Sequence, residues 1–263
     1  MMTHSILLLG QSNMGGRGDP ADVEPIENGD QSIQVFRNGR WRKMYTPVNP
    51  DRVSSGVNLA ESFAAAYRTD HPEVDRIGLI GCADGGSHLA QWQKGMMLYD
   101  YAVACARLAQ RTSSIVAVLW HQGESDCRNS RWPLYEKKFL LFLRDLRKDL
   151  GLEDIPFLVG GLGNYLARHR KADGTDSPIA ANYTKVNAAL RKIASEQPHM
   201  GYVPADGLAD KGDTLHFCAK ALREFGLRYY EVFRTLEDRG RIWEEKPTPE
   251  ELEGIAESEL AEL

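Results

Sequence analysis

A three-layer α/β/α domain on a parallel sheet is predicted by three observations. Short apolar runs recur along the 263-residue chain, amphipathic helical patterns alternate with them, and each run is bounded by glycine, proline or polar residues. Strands buried on both faces read as continuous rather than alternating hydrophobicity, and strand–helix alternation implies right-handed crossovers with helices on both faces. The first run, 6–9 (Ile6-Leu7-Leu8-Leu9), is wholly apolar. Segment 58–67 then reads as a helix, with Leu59, Phe63 and Ala66 on one face. The runs at 76–80, 114–120, 156–160 and 200–204 follow, separated by helical patterns at 99–111, 134–150 and 179–196. A last helix over 217–236 carries Leu222, Phe225, Tyr229, Val232, Phe233 and Leu236 at helical spacing.

Five strands in this rhythm predict a flavodoxin-like five-stranded parallel sheet, whose sites lie beyond the carboxyl ends of the strands. Two insertions interrupt it. Segment 32–45 reads as a β-hairpin turning at Asn38-Gly39. Segment 161–177 is a polar loop with Arg168, His169, Arg170 and Lys171, either a rim of a cleft or a solvated excursion. A single domain over 1–243 is expected. The acidic tail 244–263 holds eight glutamates, and Thr248-Pro249-Glu250-Glu251 reads as the start of a short docked helix.

Composition bounds the function class. A hydrophobic fraction of 42% with 26% charged residues is that of a globular domain. A net charge of -5 gives no electrostatic reason to expect nucleic acid or an anionic membrane as partner. The four cysteines have neither CxxC nor zinc-ligand spacing, and read as free thiols in a reducing compartment. Met1-Met2-Thr3-His4 is not a basic segment leading a long apolar one, so a cytoplasmic location is expected.

The chemistry-bearing residues fall in four clusters. Gly10-Gln11-Ser12-Asn13-Met14 follows the first strand on a glycine-led turn that lifts one hydroxyl above the sheet edge. A serine hydroxyl attacks only when a base takes its proton. His216, with Asp213 three residues before it, is the best candidate base, and Asp213 would orient its imidazole. The plain alternative is that Asp213 merely caps the helix beginning near Phe217. Oxyanion donors are offered by the Ser12 N–H, by the glycines of Cys82-Ala83-Asp84-Gly85-Gly86-Ser87, and by the Gln122 amide in Trp120-His121-Gln122-Gly123-Glu124. Alternatively those glycines only turn strand into helix, and Gln122 is a satisfied polar residue beside the core. A phosphate loop fails because Gly15 is followed by Gly16-Arg17, and neither GxGxxG after a strand nor HExxH occurs.

Gly10-Gln11-Ser12-Asn13-Met14-Gly15-Gly16-Arg17-Gly18 resembles the first block of the SGNH (GDSL-like) hydrolases. The branch most similar is carbohydrate esterase family 6, or sialate O-acetylesterase-like. Ala83-Asp84-Gly85-Gly86-Ser87 with Trp92 is similar to its second block, Trp120-His121-Gln122-Gly123-Glu124-Ser125-Asp126 to the third, and the segment from Asp213 to His216 to the last. The matches run in family order from residue 5 to about 235. The resemblance implies the SGNH hydrolase fold and a serine esterase removing O-acetyl groups from carbohydrates through an acetyl-enzyme, with no cofactor and no metal. It implies Ser12 as nucleophile, His216 as base, Asp213 as its orienting acid, and an oxyanion hole of the Ser12 N–H, the Gly85 N–H and the Gln122 side chain. Glu124 and Asp126 are expected to brace the third block by hydrogen bonds, and Arg17 to do likewise or to contact a sugar hydroxyl. Trp41, Trp92 and Trp132 are candidates to stack on sugar or to be buried core residues. A lipid-ester or thioester hydrolase with the same residues, or a non-catalytic sugar-binding domain, are the competing readings.

Overall fold

The computed structural model describes residues 2–244. In chain order its elements are β1 (Thr3–Gly10), α1 (Ser12–Gly15), β2 (Ile33–Arg37), β3 (Arg40–Lys43), α2 (Leu59–Asp70), β4 (Arg76–Gly81), α3 (Met97–Gln110), β5 (Ser114–His121), α4 (Tyr135–Leu150), β6 (Phe157–Gly160), α5 (Pro178–Glu196), β7 (Met200–Val203) and α6 (Ala219–Glu244). The expected tail helix lies outside the described residues from 245 onward.

All five expected strands form, and β4-β1-β5-β6-β7 are parallel neighbours in the flavodoxin order. The sheet itself has seven strands, not five, in the order β3-β2-β4-β1-β5-β6-β7. The difference comes from the hairpin. Its first arm buries Ile33 and Val35 and pairs parallel to β4, Ile33 opposite Ile77 and Val35 opposite Leu79. Its second arm, β3, runs antiparallel at the edge and exposes Arg40, Arg42 and Lys43, charges that discourage another strand from adding there.

Helices cover both faces. α2 and α6 pack together on one side, while α3, α4 and α5 follow one another across the other. A capping box between Asn58 and Glu61 starts α2. α6 approaches it so closely that a Cβ on Gly226 would stand 2.0 Å from the Leu59 carbonyl oxygen. Beneath α3 and α4, Trp92, Trp120, Phe139, Phe142 and Phe157 interlock, mostly edge to face. All four cysteines are free. Among the described residues no helix is long and apolar enough to cross a membrane.

Strand order reverses at β1, with β4 on one side and β5 on the other. The chain therefore leaves the carboxyl end of β1 into the crevice where adjacent connections diverge. Ser12 and the residues after β5 both emerge there.

Candidate active site

The turn after β1 exists because Gly10 sits at φ +133°, with the His121 carbonyl oxygen 2.1 Å from where a Cβ would be. Only glycine allows that approach. The Gln11 N–H then donates to the same His121 oxygen (2.9 Å), and the chain enters α1 at Ser12. Across the crevice, the loop before α6 folds back around Asp213. One carboxylate oxygen of Asp213 accepts from the backbone N–H groups of Leu215 (2.9 Å) and His216 (2.8 Å), and the other lies 2.7 Å from His216 Nδ1. Asp213 thus turns the loop and orients the imidazole at once. Ser12 Oγ lies 3.0 Å from His216 Nε2.

Burial alone would raise the Asp213 carboxyl, but the bonds from the His216 ring and from two backbone N–H groups outweigh it and hold it below the usual carboxylate range. An ionised Asp213 accepts only, so the imidazole proton sits on Nδ1 and the Nε2 lone pair faces the Ser12 hydroxyl. The three residues expected to act together are brought into one hydrogen-bonded chain.

The expected oxyanion donors are placed differently. Gln122 is wholly buried, and its Nε2 donates to Asp126 Oδ2 (2.6 Å), Gln11 Oε1 (3.2 Å) and the Ser87 carbonyl (3.2 Å). Two amide hydrogens shared among three acceptors leave none for the cleft. Gln122 instead ties the ends of β1, β4 and β5 together. The Gly85 N–H donates to Asp51 Oδ2 at 2.7 Å and is likewise committed. The Gly86 N–H, the next along, has no hydrogen-bond partner among the described residues, and Gly86 lines the cleft at φ +80°. The Ser12 N–H, first in α1, is likewise without a partner among the described residues.

The bracing residues hold this loop. Arg17 and Asp51 form a two-pronged ion pair (3.0 and 2.7 Å) with side chains only 4% and 5% exposed. Burial would raise Asp51, but Arg17, Ser55 and the Gly85 N–H together keep its carboxyl low. Arg52 grips the same loop from outside, donating to the Gly85 carbonyl (3.0 Å) and to Asp84 (3.0 Å). Asp126 accepts from the Leu89 N–H and from Gln122. Sequence reading missed Asp51 and Arg52 because nothing local marks them. Their only signal is a lone Asp-Arg pair between the hairpin and α2.

Ser12, His216, Gly86 and Ser125 open on a cavity of about 250 Å³, walled on its apolar side by Ile179 and Leu215 and rimmed by Arg52 and Arg128. None of the three candidate tryptophans lines it. Trp92 is fully buried, donating to Ser87 Oγ and crossing Trp120 edge-on. Trp41 lies over Gly78 and donates to Thr112 at the edge of the sheet. Trp132 stacks under the Lys185 ammonium. Segment 161–177 backs the Asp213 loop rather than lining the cavity: His169 Nδ1 lies 3.2 Å from Thr214 Oγ1, and the Tyr165 hydroxyl donates to the Leu215 carbonyl. No group of residues suited to hold a metal ion occurs among the described residues.

Comparison with known proteins adds to this geometry. The family model described as "Carbohydrate esterase, sialic acid-specific acetylesterase" matches residues 2–235. A probable carbohydrate esterase of Arabidopsis thaliana is 27% identical over 250 residues, covering 86% of this chain and 88% of that protein. A crystal structure of an Arabidopsis protein superposes with a TM-score of 0.74 at 26% identity, covering 89% of this chain and 98% of the other. NanS superposes at 0.71 with 17% identity, covering 93% and 98%, and so shares the fold. A carbohydrate acetylesterase from Xanthomonas citri, at 0.61 and 19% identity, shares it over 89% of this chain and 56% of its own.

Proposed function

This chain belongs to the sialic acid-specific acetylesterase family of carbohydrate esterases, and from that premise we propose that it is a serine esterase removing O-acetyl groups from carbohydrates. The observation that carries the reading is the continuous chain from Asp213 through His216 to Ser12, at 2.7 and 3.0 Å, opening on a small cavity. Ser12 Oγ attacks the acetyl carbonyl carbon as its proton passes to His216 Nε2, and Asp213 stabilises the imidazolium. The carbonyl oxygen, now negative, is met by the Ser12 and Gly86 N–H groups. The tetrahedral species collapses, His216 returns the proton to the departing sugar oxygen, and the acetyl group stays on Ser12. A water deprotonated by His216 then releases acetate and restores the serine. The route calls on no metal or organic cofactor.

The cavity volume favours a short acyl group. Since Arg52 is paired with Asp84, it is the Arg128 guanidinium at the rim, with no carboxylate partner among the described residues, that favours an acidic sugar such as a sialic acid over a neutral xylan. The test is an acetate-release screen over acetylated sialic acids, acetylated xylan and simple acetylated sugars, with Ser12→Ala beside the unmodified protein. Release that depends on Ser12 is expected. Equal release by Ser12→Ala, or faster turnover of long-chain acyl esters than of acetates, would defeat the reading.

A pH prediction follows from Asp213. Its carboxyl is held below the usual carboxylate range, so Asp213 stays ionised where a free carboxyl would take up its proton and adds no protonation step of its own to the acid limb there. The acid limb of log kcat/KM should have a slope of one. A slope of two would mean that the carboxylate titrates in the same window.

A further inference from the structure

The residue after Ser12 does something the reaction scheme leaves unused. Asn13 is fully buried, and its side chain grips the backbone on both sides of His216. Its Nδ2 donates to the Leu215 carbonyl (3.2 Å), and the Phe217 N–H donates to its Oδ1 (3.1 Å). The other Nδ2 hydrogen goes to Glu124 Oε1 at 2.6 Å. An asparagine amide offers two donor hydrogens and one carbonyl oxygen, and all three are taken. Glu124 is itself buried at the end of β5 and lies 3.4 Å from His121 Nε2. One amide therefore joins the β1 turn, the end of β5 and the loop that carries His216.

That loop needs such a tie. The residues leading into it, 210–214, are half-buried or exposed, so on that side of His216 hydrogen bonds rather than packing fix where it sits, whereas Phe217 on the other side is fully buried against Tyr165 and Phe225. Thr214 adopts φ +56°, a costly value for a β-branched residue, held by its N–H bond to Asp210. Because Asn13 is covalently attached to Ser12, its grip on residues 215 and 217 moves with the hydroxyl.

We propose that Asn13, anchored by Glu124, is a positioning residue that sets the separation between His216 Nε2 and Ser12 Oγ. This rests on the reading of Ser12 and His216 given above. No other side chain at that position serves as well. Aspartate lacks the donors, leucine all polar atoms, and glutamine carries the amide one carbon too far.

The test compares Asn13→Ala with the unmodified protein and with Ile193→Ala, a core variant at the far end of α5, using an activated acetate ester and a fluorophosphonate that labels the serine. Displacing a reacting group by about an ångström costs on the order of 100-fold. Asn13→Ala should therefore lower kcat by about 100-fold and slow Ser12 labelling by a similar factor, with KM within about twofold. Ile193→Ala should lose thermal stability without slowing the labelling of folded protein. Should Asn13→Ala not fold, Asn13→Asp keeps the size and the acceptor for Phe217 but gives up the donors, and should show the same slow labelling. The proposal is overturned if either Asn13 variant keeps kcat and labelling within about threefold of the unmodified protein. It is also overturned if Ile193→Ala slows labelling as much as Asn13→Ala does. If instead Ser12→Ala still releases acetate, the reading of the site has failed, whatever the Asn13 variants do.

Discussion

His216→Ala should lower kcat by about 10⁵- to 10⁶-fold while leaving KM and the melting temperature nearly unchanged. Among the described residues the imidazole is the only base in contact with Ser12 Oγ, and its loss leaves the hydroxyl with no acceptor for its proton. Its side chain is 18% exposed at the cavity mouth, so truncating it opens no core cavity. Asp213→Asn is the more discriminating companion. The asparagine Oδ1 can still accept from the Leu215 and His216 N–H groups, so the turn survives. What it loses is the acceptor facing His216 Nδ1, and the ring then favours the tautomer with its proton toward Ser12. A loss of about 10⁴-fold in kcat is expected, the size seen for the corresponding change in the serine-protease triad. If Asp213 only capped the loop, Asp213→Asn would be nearly silent. Steady-state acetate release beside thermal melts followed by circular dichroism separates the two outcomes.

The parts of this site that could be read from the sequence are those made by neighbours in the chain. Ser12 is presented by the residue two before it, and His216 is oriented by the residue three before it, so short motifs carry both. The five central strands were legible for a similar reason: burial on both faces leaves a continuous apolar run, as in Ile6-Leu7-Leu8-Leu9. What escaped depends on distant partners. The hairpin was visible, but its joining the sheet required Ile33 and Val35 to meet Ile77 and Leu79. Whether Gly85 or Gly86 keeps a free N–H is settled by Asp51, 34 residues upstream of Gly85. Gln122 is withdrawn from the cleft by Asp126, four residues on, a pairing that only the packed ends of β1, β4 and β5 enforce. The tryptophans carry no local mark of which one is buried.

Asp51 is also where a large loss of stability from a single polar truncation is expected. Asp51→Ala removes the partner of Arg17, whose side chain is 4% exposed, and leaves a buried guanidinium uncompensated. Such changes cost about 3–5 kcal/mol, and since this pair borders an open cavity the lower figure, about 3 kcal/mol, is expected. The same change releases the Gly85 N–H and the Ser55 hydroxyl, so the loop carrying Gly86 loses its inner anchor. Catalysis should suffer separately from folding. Loss of one oxyanion donor lowers kcat by about 10²- to 10³-fold, and a loop that only sometimes presents the Gly86 N–H should fall short of that limit. Gly85→Ala probes the same contact from the other side, because its Cβ would stand 2.5 Å from Arg17 Nη2 and 2.8 Å from Asp51 Oδ2. Acid gives an independent check. The Asp51 carboxyl is held below its unfolded value, so its contribution is fully present above about pH 4 and is lost as pH falls through the folded value. The stability difference between the unmodified protein and Asp51→Asn, from urea titrations, should therefore be constant near neutrality and shrink in acid. A difference that does not change with acidification would mean that the carboxylate charge contributes nothing, and that only the shape of the side chain holds the loop.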